Sequence, residues 1–212
     1  MTELRETALA AEHEELGASF TDFGGWRMPL KYTSELEEHH AVRKTAGLFD
    51  LSHMGEIRVV GPEAGTFLNT ALVGNLAALR VGKAKYSLIC REDGGILDDL
   101  IGYRITPEEY LIVPNAANRE VVAAALEERV QAFNAAHGSG VEVWDESEGI
   151  SLIAVQGPNA ERSSPRWSAW MRPTSSRSWL LRLRHGHRGR AGGAAGPDRL
   201  HRGGRLRDLP AG

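Results

Sequence analysis

The chain of 212 residues has a single cysteine, Cys90, so neither an intramolecular disulfide nor a cysteine cage for zinc can be built within it. Cys90 sits between Ile89 and Arg91 in a strand-like run, where a packing role is expected rather than a nucleophilic one. No stretch of 18 apolar residues exists, which excludes a spanning helix. The opening MTELRETALAAEHEEL is acidic and carries no basic-then-apolar leader, so a cytoplasmic location is expected, with no membrane partner. Phosphate-binding loops are missing too. Gly82-Lys83 is followed by Ala84 and preceded by no glycine nearer than Gly74, and no dinucleotide fingerprint occurs in residues 1–162. His39 and His40 are neighbours on a helical stretch and point about 100° apart, whereas helical ligand pairs sit four apart, so no metal site is expected.

Charge is present but unevenly placed. Residues 1–162 hold 14 Lys and Arg against 26 Asp and Glu, net −12, while residues 163–212 hold 11 against 2, net +9. The second segment has no lysine and no glutamate at all. The total of −3 therefore averages two opposed parts, and the domain division expected is 1–162 and 163–212.

Within the first part, residues 3–16 read as an amphipathic helix stopped at Gly17. The segment FTDFGGWRMPLKY reads as a packed loop interrupted by Gly24-Gly25 and Pro29. Ser34 to Ala46 reads as a second helix, Glu56 to Val60 as a strand, and PEAGTFLNTAL as a helix opening at Pro62. Lys85–Cys90 and Ile96–Ile105 flank Glu92-Asp93-Gly94-Gly95 and predict a β-hairpin, followed by a strand at Glu109–Val113. Val121, Val122, Ala125, Leu126, Val130 and Phe133 fall at helical spacing. Val141–Trp144 and Ile150–Gln156 complete the strands. The fold class expected is α+β, largely antiparallel sheet with packed helices, followed by a tail without regular fold.

The chemistry-bearing candidates are few. In Gly94-Gly95-Ile96-Leu97-Asp98-Asp99-Leu100-Ile101 two consecutive acids interrupt an apolar strand, and alternation sends them to opposite faces. One faces a site, where a carboxylate in apolar surroundings can hold an N–H-bearing substrate and exchange a proton with it; the competing reading is an edge strand protected by charge. Ser52-His53 suggests nucleophilic catalysis only weakly, since adjacent residues rarely reach triad geometry.

Six segments extend the reading: FGGWRMPLKY (23–32), EEHHAVRKTAGLFDLSHMGEIRVVGPEA (37–64), GKAKYSLI (82–89), GGILDDLIGYR (94–104), VPNAANRE (113–120) and LIAVQGPNA (152–160). Together they resemble the glycine-cleavage T protein, or aminomethyltransferase, family, nearly unbroken from Leu16 to Arg162. The resemblance implies transfer of the methylene of a lipoyl-bound aminomethyl group to tetrahydrofolate, a co-substrate, with release of ammonia. It implies the lipoyl-carrying H protein as partner and no nucleic acid. It places Asp99, the second acid of the DDL motif, beside the reacting nitrogen, where a fixed charge orients the nucleophile and stabilises developing positive charge. Met54, Tyr86, Ile101, Tyr103 and Asn115 carry over as pocket positions, with Pro114 a departure that removes a backbone donor next to Asn115.

Family members continue through a TGYTGEDGFE motif that this chain lacks as protein. Asp198 to Leu209 can nevertheless be encoded so that a reading frame one base later spells TGYTGEDGFEI. Residues from Ser163 onward are accordingly read as an out-of-frame translation, and the chain as written is expected to bind folate weakly and not to turn over. Two alternatives remain: a protein of the same fold with another folate-linked role, in iron–sulfur assembly or in dimethylglycine or sarcosine oxidation, and an RNA-binding protein with an Arg-rich tail.

Overall fold

A computed structural model describes residues 3–160, together with the backbone of two strands further on, Met171–Ser175 and Ser178–Arg184. In chain order the elements are α1 (Ala10–Glu15), β1 (Ser19–Phe23), β2 (Trp26–Lys31), α2 (Glu35–Lys44), β3 (Gly47–Asp50), β4 (Ile57–Val60), α3 (Ala64–Ala71), β5 (Ala84–Cys90), β6 (Ile96–Thr106), β7 (Glu109–Val113), α4 (Arg119–His137), β8 (Glu142–Asp145), β9 (Ile150–Gln156), β10 (Met171–Ser175) and β11 (Ser178–Arg184). This is the mixed helix and antiparallel sheet architecture expected. A five-stranded sheet runs β5-β6-β7-β4-β8 and a four-stranded one β10-β11-β9-β3, and among the described residues the pairings in both are antiparallel.

Local chemistry accounts for the helices. The Ser34 hydroxyl accepts from the Glu37 N–H and caps α2, whose first turn holds Glu35, Glu37 and Glu38 and whose last holds Arg43 and Lys44, the order that suits the helix dipole. On α4, Val122, Leu126, Val130 and Phe133 recur at spacings of four, four and three and are all buried. They pack with Phe67 and Leu68 of α3 against one face of the five-stranded sheet, which contributes Ile57, Val59, Ile89, Leu100, Tyr110 and Ile112. Burial of each such side chain stabilises by about 1.5–3 kcal/mol, and this layer is the main core. The Arg129 guanidinium on α4 donates to the carbonyls of Ala71 and Cys90, tying both helices to the end of β5.

Three expectations need correction. The segment FTDFGGWRMPLKY is a hairpin, β1–β2, rather than a loop: Phe23 pairs with Trp26, leaving Gly24 and Gly25 as a two-residue turn with φ of 60° and 87°. Positive φ at both central residues is what the right-handed twist of a tight hairpin requires, and glycine supplies it without strain. Pro29 is tolerated because the ribbon has two strands and hence a free edge. Second, the helix expected over 3–16 is confined to Ala10–Glu15, because the backbone at Arg5 is spent on the hairpin: its N–H donates to the Gly25 carbonyl and its carbonyl accepts from the Arg27 N–H. Third, β10 and β11 lie in the segment expected to lack regular fold. β11 pairs along β9 from Ser178–Gln156 to Arg184–Ile150, since the open edge of an apolar strand is a template for any extended chain. The remaining expectations for residues 163–212 lie outside the described residues.

Candidate functional site

Strand β6 divides the molecule's chemistry. Asp98, Leu100 and Gly102 face the helices and are buried, whereas Asp99, Ile101, Tyr103 and Ile105 face the other way and are exposed or half-buried. The two acids separate as strand alternation requires. The fully enclosed acid is Asp98, 3% exposed, and Asp99 is the exposed one.

All six positions singled out in the sequence gather on the Asp99 side of this sheet or at its rim. Tyr86 on β5 lies directly opposite Ile101, and Ala84 opposite Tyr103; residues opposite each other in an antiparallel pair share a face. Tyr86 is 60% exposed, so its ring is an open apolar surface. Tyr103 packs with Leu111, Val113, Leu152, Leu51 and Met54, and burial pushes its phenol up from the ordinary tyrosine range. Met54 reaches that cluster from the loop between β3 and β4, which is held to the end of β7 by the Gly55 N–H donating to the Pro114 carbonyl.

Asn115 follows β7 after Pro114. Its side-chain Nδ2 donates to Asp99 Oδ1 at 3.0 Å and to the Asp99 carbonyl at 2.9 Å. It also donates to Asp98 Oδ1 at 3.0 Å, while the Asn115 backbone N–H donates to Asp98 Oδ2 at 2.8 Å. Asn118 Nδ2 adds a third donor to Asp98 at 2.7 Å. Pro114, suspected of disturbing this position by removing a donor, is buried at the head of the turn and does not interrupt the set. The pairing of Asp98 with Asn118 was not anticipated; the recurrence of asparagine at Asn115 and Asn118, three apart beside a predicted helix start, is the signal that carries it.

Asp99 has no ion-pair partner among the described residues, and its Oδ2 accepts no hydrogen bond there. The arrangement is therefore an apolar, aromatic sheet face ending in a carboxylate with one oxygen anchored and one open. Such a face suits a flat heterocycle carrying N–H groups: Tyr86, Ile101 and Tyr103 offer area for the ring, and the open oxygen offers an acceptor at its edge.

Ser52 and His53 do not form a nucleophile and base. The Ser52 hydroxyl accepts from the Leu152 N–H at 3.1 Å and so serves the link to β9. His53 is buried with its ring edge-on to Phe23, and burial lowers its pKa. His39 and His40 are exposed on α2, and the described residues contain no cluster of three or more groups able to hold a metal.

Sequence reading also missed a buried polar set beneath the hairpin. The Thr7 hydroxyl donates to Asp50 Oδ2 at 2.6 Å, His13 Nε2 lies 3.0 Å from the same oxygen, and His13 Nδ1 lies 2.7 Å from the Tyr32 hydroxyl. Burial pushes the Asp50 carboxyl up, but hydrogen bonds from Ser52, Thr7 and His13 outweigh it and hold the group below the usual carboxylate range. A cleft of about 220 Å³ lies nearby, lined by Thr7, Trp26, Ser52, Arg119 and Ser147 among others and by none of the six candidate residues. Its one guanidinium, Arg119, is already paired with Asp145 at 3.3 Å and Glu148 at 2.8 Å.

Comparison with known proteins bears on this geometry. The model of a family described as GCVT N-terminal domain matches residues 9–168. Aminomethyltransferase from Corynebacterium jeikeium (strain K411) is 60% identical over 163 residues, which is 77% of this chain and 40% of that protein. The enzyme of the same name from Streptomyces coelicolor is 58% identical over 159 residues, 75% of this chain and 41% of that one. Among solved structures, the glycine cleavage system aminomethyltransferase T of Bartonella henselae superposes with a TM-score of 0.67 at 42% identity, covering 75% of this chain and 42% of that one. The chain thus spans about 40% of the length of the curated relatives it matches.

Proposed function

The chain belongs to the GCVT N-terminal domain family, and from that premise we propose that it is the N-terminal part of a glycine-cleavage aminomethyltransferase whose sheet face at Asp99 forms one wall of a tetrahydrofolate site. The observation that carries this reading is the convergence of Asp99, Tyr86, Ile101 and Tyr103 on one face, with Asn115 anchoring the carboxylate from the side. Bound there, a reduced folate supplies the nucleophilic nitrogen that accepts a methylene. The chain's own part is to bind and orient. Tyr86, Ile101 and Tyr103 bury the ring face and exclude water from one side. The open oxygen of Asp99 accepts an N–H, aims the nitrogen and stabilises positive charge as it develops on the transferred carbon. The donor of that carbon is the aminomethyl group on the lipoyl arm of the H protein, the partner proposed.

Residues 163–212 are proposed to be an out-of-frame translation rather than a nucleic-acid-binding tail, supported by the charge reversal at Arg162 and the shifted-frame motif under Asp198 to Leu209. Resequencing the DNA across that stretch tests this; an intact frame confirmed by peptide mass spectrometry overturns it.

Because one wall of a site binds weakly, the test of the folate reading uses a method that reads weak binding. Tetrahydrofolate titrated into the purified chain up to millimolar concentration is expected to shift the backbone amide resonances of residues 86, 99, 101 and 103 in concert. Shifts confined to the cleft around Trp26 and Arg119, or none at all, overturn the assignment. By itself the 212-residue chain is expected to release no ammonia from aminomethylated carrier.

A further inference from the structure

Asp98 is a carboxylate 3% exposed, and among the described residues no lysine, arginine or histidine pairs with it. Its donors are all neutral: the Asn115 N–H, the Asn115 side-chain amide and the Asn118 side-chain amide. A buried charge answered only by neutral amides is an expensive way to stabilise a turn, so the arrangement invites the question of what else it does.

The geometry settles the orientation of Asn115. Its Nδ2 has three oxygens within 3.0 Å, namely Asp98 Oδ1, the Asp99 carbonyl and Asp99 Oδ1. An amide oxygen turned to that position would face three acceptors and no donor, so only the NH2 group can occupy it. Asp98 takes the Asn115 main-chain N–H with one oxygen and the side-chain amide with the other, and so fixes both the backbone and the χ angles of that residue. One N–H of the fixed amide then reaches Asp99 Oδ1, leaving Asp99 Oδ2 open. Asp99 is exposed, and nothing else among the described residues restrains its carboxylate.

We propose that Asp98 is a positioning residue which, through Asn115, holds the Asp99 carboxylate in one rotamer so that Oδ2 is presented to a ligand N–H. This rests on the reading of Asp99 as the group that meets folate, and it reassigns Asn115 from ligand contact to relay. Without the relay Asp99 samples the rotamers open to any exposed aspartate and must be ordered at each binding event, which weakens affinity.

The test measures the three-bond couplings from the Asp99 Cγ to its backbone nitrogen and carbonyl carbon, which report χ1, in the full 212-residue chain. In the wild-type chain the couplings should be those of a single rotamer. In Asp98→Asn, where the single remaining acceptor oxygen cannot serve both the Asn115 main-chain N–H and the side-chain amides of Asn115 and Asn118, and in Asn115→Ala, which removes the relay from a half-buried position with less risk to folding, they should collapse toward the rotamer average. Tetrahydrofolate should then bind about tenfold more weakly in both, the scale of one hydrogen bond to a charged group. Single-rotamer couplings retained in Asn115→Ala, or in a folded Asp98→Asn, overturn the proposal. Averaging in the variants with no response of the wild-type chain to tetrahydrofolate would leave the positioning role standing and remove the folate reading instead.

Discussion

Gly102 lies on β6 between two proposed ligand-facing residues, Ile101 and Tyr103, but faces the helices. A Cβ built on it would sit 2.5 Å from Leu76 Cδ2 and 3.3 Å from Ile112 Cδ1. Carbon atoms in contact prefer 3.5–4.0 Å, so Leu76 must retreat by about 1 Å. Leu76 and Ile112 are both fully buried, so neither can swing out into solvent to make room. Overpacking of this kind costs about 1–3 kcal/mol. Against it stands the gain from replacing a strand glycine, about 0.5–1 kcal/mol. The clash is the larger effect, and Gly102→Ala should destabilise by about 1–2 kcal/mol, lowering Tm by about 2–8 °C for a domain of this size. The control is Leu76→Ala, which alone should cost about 2–5 kcal/mol by opening a cavity. In the double variant the new methyl group occupies part of that cavity, so the cost should fall below the sum of the single costs by about 1–2 kcal/mol. Denaturant unfolding of all four chains reads the cycle. Additive costs, or a Gly102→Ala chain as stable as its parent, would refute the claim that β6 is pressed against Leu76.

Other outcomes follow from the same contacts. Asp50 has its folded pKa held below its unfolded value, so its contribution is fully present above the unfolded carboxylate pKa of about 3.9 and is lost as pH falls through that value toward the folded one. Asp50→Asn should cost about 3 kcal/mol near neutrality, as expected for removing one partner from a buried polar set, and should flatten the acid limb of a stability-versus-pH curve measured by urea unfolding. Leu126→Ala, at a fully buried α4 position, should cost about 2–5 kcal/mol by the same measurement. Asp99→Asn, at an exposed position, should change stability by no more than about 0.5 kcal/mol while abolishing the concerted tetrahydrofolate shifts at residues 86, 101 and 103.

Legibility of the fold tracked how locally each element is determined. Strands β5, β6 and β7 and helix α4 were readable because their alternation, turn glycines and 3.6-residue spacing lie within the segments themselves. Alternation likewise separated Asp98 from Asp99, but it could not say which of the two faced the helices, since that depends on where α3 and α4 pack. The β1–β2 hairpin was missed because Gly24-Gly25 between aromatic residues reads equally as a packed loop until Phe23 is seen to pair with Trp26. The expected helix over 3–16 failed at its first half because the Arg5 backbone is claimed by the hairpin, a contact across twenty residues. Of the site, the resemblance named six residues but not their arrangement, and the role proposed for Asn115 depends on distances no spacing reveals. The Thr7–Asp50–His13–Tyr32 set was invisible for the same reason: its members come from four separate segments and meet only after folding.

The most direct test of the central claim is a crystal structure of the chain grown with saturating tetrahydrofolate. The pterin ring should lie against Tyr86, Ile101 and Tyr103 with one of its N–H groups within hydrogen-bond distance of Asp99 Oδ2. A ring seated instead in the cleft between Trp26 and Arg119, with the Asp99 face bare, would contradict it.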